Sequence, residues 1–183
     1  MKYSFLLLLF LCGITLNTQA QNEGFLESNQ QFRSEINHHY ADSVNSPLRE
    51  KDRLEFDSLP FFPINSEYYV NAKLEIIQDA EPFEMKTTTE RLPMYREYAI
   101  ATFELKDSIF QLTLFQGVET GDSTVYDDYL FLPFNDLTNG IETYGGGRFI
   151  DLDLPTEKTD SITIDFNKAY NPYCAYNHNY SCP

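Results

Sequence analysis

From residue 66 onward the hydrophobic period of this chain is two, and it stays two almost to the end. In "EYYVNAKLEII", Tyr68, Val70, Ala72, Leu74 and Ile76 alternate with mostly polar neighbours. Successive strand side chains point to opposite faces, so this alternation predicts a strand with one buried face. Phe83, Met85 and Thr87 predict a second strand, and Ala99, Ala101, Phe103 and Leu105 a third. Phe110, Leu112 and Leu114 mark a fourth, and Leu130, Leu132 and Phe134 a fifth. Ile150, Leu152 and Leu154 mark a sixth, and Ile162, Ile164 and Phe166 a seventh. Turn-forming residues separate them at 106–107, 117–123, 135–140 and 155–160. No long helical pattern intervenes, whereas parallel pairing needs a crossover of that kind. The expectation is a mainly β fold: an antiparallel β-sandwich or partly open barrel.

Residues 22–45 have a different period. Phe25, Phe32, Ile36, Tyr40 and Val44 recur at spacings of seven and four, which predicts one apolar stripe on an amphipathic helix. Ser46-Pro47 ends it and predicts a short second helix, with Leu54 and Phe56 tucked onto the core. The helical part thus spans about 22–56 and the β part about 66–183. With 183 residues the chain has the length of one ordinary domain.

The first residues read as an address. "MKYSFLLLLFLCGITLNTQAQ" has one Lys, an apolar run over 5–16, and Thr18-Gln19-Ala20 as a small-x-small cleavage site. The run is short for a membrane span, and Leu11 before Cys12 does not fit a lipoprotein signal. Residues 1–20 are therefore expected to be a signal peptide cleaved after Ala20, leaving residues 21–183 as an exported, periplasmic or secreted domain without a membrane span. Lys2 is the only charged residue removed, so the formal charge moves from -15 to -16. That field repels phosphate backbones and excludes nucleic acid as a natural partner. It favours solubility, and affinity for cationic groups.

Cleavage also removes Cys12 and leaves Cys174 and Cys182. An even pair in an exported chain is most simply a disulfide. It would close a loop of about nine residues, worth roughly 2 to 3 kcal/mol on the chain-entropy argument. Cys174, His178 and Cys182 at equal spacings offer three soft ligands, but a structural zinc site takes four. No metal and no cofactor is expected.

Two late segments hold the candidates for chemistry. In "FLPFNDLTNGIETYGGGRFIDLDL", three glycines lead into a strand rather than a helix and lack the Lys-Ser/Thr of a phosphate-cradling loop, which excludes a P-loop. Arg148 follows them; its fork suits a ligand carboxylate, or an internal partner such as Asp136, Glu142, Asp151 or Asp165. Asp151 and Asp153 share a strand face, as acid-base pairs and solvent-facing residues both do. No Gly-x-Ser-x-Gly elbow or His-Glu-x-x-His motif is present, and His38 and His39 fall on the predicted helix. In "DFNKAYNPYCAYNHNYSCP", tyrosines offer stacking surfaces and asparagines paired donors and acceptors, or simply a pinned loop. The candidate ligand-binding residues are Arg148, Glu142, Tyr144, Asp151, Asn171 and Tyr176. A weaker pattern, Asp-Ser before a Val, Leu, Ile or Thr, recurs at residues 42, 57, 107, 122 and 160 and resembles a bacterial O-glycosylation acceptor.

Those two stretches, with "SPLREKDRLEFDSLPFFPINSEYYV", resemble the bacterial and archaeal domain-of-unknown-function family 1684. The resemblance implies no established activity, substrate or cofactor. It implies that the two cysteines also occur in members without export signals, which adds a thiol or metal role to the bridge, while position 178 is not fixed as His. Members run on past Cys-Pro into a final strand, so the chain is expected to be truncated at Pro183. The expected function is binding of a small polar or carbohydrate-like ligand. The alternatives are a hydrolase-type enzyme using Arg148 and a nearby carboxylate, and a structural envelope protein. Oligomeric state is open.

Overall fold

The computed structural model describes residues 23–118, 129–157 and 159–183. The signal peptide, its cleavage site, most of the 117–123 turn and Asp122-Ser123 lie outside the described residues.

The stripe forms the expected helix, α1, over residues 23–41. Its apolar side packs Phe25 on Tyr69, with ring centroids 5.2 Å apart, Phe32 on Phe61 at 6.4 Å, and Tyr40 on Tyr176 at 5.3 Å. Tyr40 is fully buried. The helix stops short of Val44 because the Asp42 carboxylate accepts the Val44 N–H at 2.9 Å, which favours a turn over another helical residue. Val44 therefore leaves the stripe and stands 83% exposed. Ser46 donates to the Tyr40 carbonyl at 2.5 Å, satisfying one orphan acceptor of the last turn. The second helix, α2, is Glu50–Leu54 and starts later than expected; Ser46 accepts Leu48 N–H in the Pro47 turn instead of capping it. Leu54 does not reach the core: it is 73% exposed, and only Phe56 turns inward, onto Tyr40.

Seven strands follow: β1 Tyr69–Ile76, β2 Phe83–Glu84, β3 Met94–Leu105, β4 Ser108–Gly117, β5 Tyr129–Phe134, β6 Arg148–Asp153 and β7 Ser161–Asp165. All pair antiparallel in one sheet ordered β6-β5-β4-β3-β1-β7, with β2 on β3. The sheet curls into a half-barrel, the partly open member of the expected pair of architectures. Among the described residues, no helix is long and apolar enough to cross a membrane.

The main core lies on one face, around Ala72, Ala101, Leu114, Leu130, Leu132, Ile150 and Ile164. A second buried cluster occupies the other face of β3 to β6: Met85, Tyr95, Phe131, Phe149 and Cys182. Strand parity explains the division, since Phe131 sits between Leu130 and Leu132, and Phe149 beside Ile150. On β3 the register slips between Glu97 and Ala99. The bulge moves the apolar positions from the second face, at Tyr95, to the first, at Ala99.

The closing segment covers the part of the second face that holds Phe149, Tyr95 and Met85. Phe149 and Tyr170 exchange backbone hydrogen bonds of 2.9 and 3.0 Å, so the segment leaves as a one-residue partner of edge strand β6. It ends against the 83–93 stretch, where Thr88 N–H donates to the Cys182 carbonyl at 2.8 Å.

Candidate functional site

The six candidate residues fall into separate places. Arg148 and Asp151 are an odd number of residues apart on β6, so their side chains leave opposite faces. Arg148 turns to the first face and donates from Nη2 to Asp136 Oδ2. Its guanidinium lies over the rings of Phe62, at 5.4 Å, and Phe134, at 5.2 Å. Asp136 also accepts Thr138 N–H at 2.8 Å and Thr138 Oγ1 at 2.5 Å. Burial alone would raise Asp136, but the Thr138 and Arg148 hydrogen bonds and the Arg148 charge hold it below the usual carboxylate range. Of the internal partners expected for Arg148, Asp136 is the one it takes. Gly147 makes this approach possible: its φ is +104°, and a Cβ there would sit 2.9 Å from the Phe134 carbonyl oxygen. Glu142 stands exposed in the loop before it.

Tyr144, Asn171 and Tyr176 do come together. Asn171 accepts Tyr144 N–H at 3.1 Å and donates to Tyr176 Oη at 3.3 Å. The Tyr144 hydroxyl hydrogen-bonds the Cys174 thiol. Cys174 N–H in turn donates to Cys182 Sγ at 3.2 Å. Both cysteines are free, so the expected bridge is not formed. Burial, then the contact with Cys174, pushes the Cys182 thiol up to about 12. This network ties the closing segment to the glycine loop and engages the Asn171 amide in doing so. Among the described residues no group of three or more His, Cys, Asp or Glu side chains is placed to hold a metal ion.

Asp151 occupies the second face. Its register partner is Phe131, and the Phe149–Tyr170 bridge two residues back swings Tyr170 over it. Tyr170 Oη donates to Asp151 Oδ2 at 2.7 Å. The side chain stays solvent-exposed, yet protein crowds it closely enough that desolvation raises its pKa despite that hydrogen bond. Burial and the Asp151 charge raise Tyr170 well above the ordinary phenol range. Around it Phe131 packs edge-on against Phe149 at 4.7 Å and on Tyr95 at 5.8 Å. Tyr95 shares a side-chain hydrogen bond with Tyr129.

Tyr170, Tyr95 and Tyr129 were not among the candidates. Tyr170 belongs to the closing stretch whose tyrosines were read as stacking surfaces, but its pairing with Asp151 had no local signal, because it depends on a single backbone bridge to a distant strand. Tyr95 lies on the far side of the bulge, where alternation changes phase. Tyr129 was legible: it precedes Leu130 on the face opposite the core positions.

The sequence profile of the family described as protein of unknown function (DUF1684) matches residues 54–183. The solution NMR structure of an uncharacterised protein from Haloarcula marismortui is similar to the chain, with a TM-score of 0.70 and 30% sequence identity. The alignment covers 90% of this chain and 87% of that one. No curated protein matches.

Proposed function

The chain belongs to the DUF1684 family, and from that premise we propose that it is an exported binding module for a small polar ligand, seated on the second face beside Asp151. One observation carries this reading: a solvent-exposed carboxyl held at 2.7 Å by a tyrosine, its pKa raised by desolvation, at the edge of a buried aromatic cluster. A perturbed carboxyl beside aromatic side chains is a recurrent feature of small-molecule sites. Arg148 is a poor centre for the hydrolytic alternative. Its carboxylate partner is held ionised at neutral pH and cannot act as a general acid, and Asp151 lies on the opposite face.

Export after cleavage at Ala20 belongs to the same proposal. Chain recovered from outside the cytoplasm should begin at Gln21. The ligand site is tested by screening small polar compounds for a rise in Tm, then mapping hits by NMR. Hits should perturb Tyr170, Tyr129 and Phe131, and Asp151→Asn should abolish the rise while Arg148→Met retains it. Hits that map to Arg148 and leave the second face untouched would refute the placement.

A further inference from the structure

Strand register aligns the side chains of the second face in rows. One runs Glu97, Phe115, Phe131, Asp151 across β3, β4, β5 and β6. In the neighbouring row Tyr129 pairs with Asp153. Aromatic rings thus form the middle and carboxylates the flanks, and Glu97, Asp151 and Asp153 are all exposed to solvent. Two arginines of these strands turn the other way. Arg96 turns to the first face and donates to Gln116 at 2.6 Å, and Arg148 is bound to Asp136 on that same face. Arg91, from the stretch that β2 begins, lies within electrostatic reach of Tyr95 and Cys182.

We infer that the ligand is an organic cation, an alkylated ammonium group packed against the part-exposed rings of Tyr129 and Phe115 with its charge between Asp151 and Asp153. The claim rests on the reading that the second face is the binding site, and goes further by naming the charge. Ring faces carry negative quadrupole density and attract a cation within about 6 Å of the centroid. The carboxylates add a Coulombic term that is stronger at a protein surface than in bulk water. Such a ligand meets both features at once. A neutral ligand packs against the rings but leaves the flanking charges unopposed. Tyr173, 37% exposed and within electrostatic reach of Asp151, supplies a further ring at the rim.

The decisive probe pair is choline and its neutral carbon isostere, 3,3-dimethylbutan-1-ol. They share shape and hydroxyl and differ in charge. NMR titration of the purified chain should show choline bound about tenfold more tightly than the alcohol. The perturbed signals should be those of Tyr170, Tyr129 and Phe131. Asp151→Asn, which keeps an acceptor for Tyr170, should erase most of the preference, with amide dispersion confirming that the variant is folded. Tyr170→Phe should weaken both probes while retaining the preference. Equal affinity for the two probes, or a tighter alcohol, overturns the inference. If saccharides perturb these residues and choline does not, the cation reading falls while the binding face stands. If no probe in the panel perturbs them, both fall.

Discussion

Asp136 and Asp151 are one residue type in two opposite electrostatic situations, and their pH responses separate them. Asp136 has a depressed pKa when folded. Its contribution to stability is present above the ordinary carboxylate value of about 3.9 and is lost as pH falls through the folded value. Its partner Arg148 has a side chain only 13% exposed, so removing the carboxylate leaves a guanidinium without its counter-charge. Asp136→Ala should cost on the order of 2 kcal/mol in chemical denaturation at neutral pH, and the cost should shrink in acid. Asp151 runs the other way. Its folded pKa is raised, so folding favours the protonated form; no penalty exists below the unfolded value, and the full penalty is present above the folded one. Asp151→Asn should therefore raise Tm at neutral pH, with variant and parent converging as pH falls through the carboxylate range. The glycines make a second contrast. A methyl at Gly147 meets the Phe134 carbonyl at positive φ, whereas at Gly146 it meets only side-chain atoms, those of the Tyr144 ring. Gly147→Ala should cost about 1–3 kcal/mol and Gly146→Ala distinctly less, as denaturation midpoints would show.

At the level of elements, burial separates two leucines that look alike in the sequence. Leu114 is fully buried on β4, and Leu54 at the end of α2 is 73% exposed. Leu114→Ala should lose about 2–5 kcal/mol, and Leu54→Ala should stay within about 0.5 kcal/mol. The seven strands were readable because alternation is a local signal, although β2 is only Phe83–Glu84 and leaves the expected Met85 and Thr87 outside it. What was not readable is non-local or depends on a phase break. The bulge on β3 hid Met94 to Tyr98 from a period-two reading. Leu54 belongs to a helix too short to present a stable face. Ridges that pack α1, such as Tyr40 on Tyr173 and Tyr176, join residues far apart in the chain. The site divides similarly. That Arg148 and Asp151 part company follows from their odd spacing on a strand, but the pairing of Tyr170 with Asp151 requires the closing segment to dock on β6.

For the whole molecule, charge is the dominant long-range property. A formal charge of -15 on 183 residues gives self-repulsion that opposes the compact state, and it also draws cations toward the second face. Salt screens both effects, with a Debye length of about 30 Å at 0.01 M and about 10 Å at 0.1 M. The two consequences carry opposite signs. Raising ionic strength from about 0.01 to about 0.1 M should raise Tm, because repulsion between like charges weakens in the folded state. Over the same range, affinity for choline should fall, because screening removes the attraction to Asp151 and Asp153. The neutral isostere should show the rise in Tm of the free chain but no loss of affinity. If choline binding proved as indifferent to salt as the alcohol, the contact would be apolar only, and the carboxylate flanks of the second face would have no part in it.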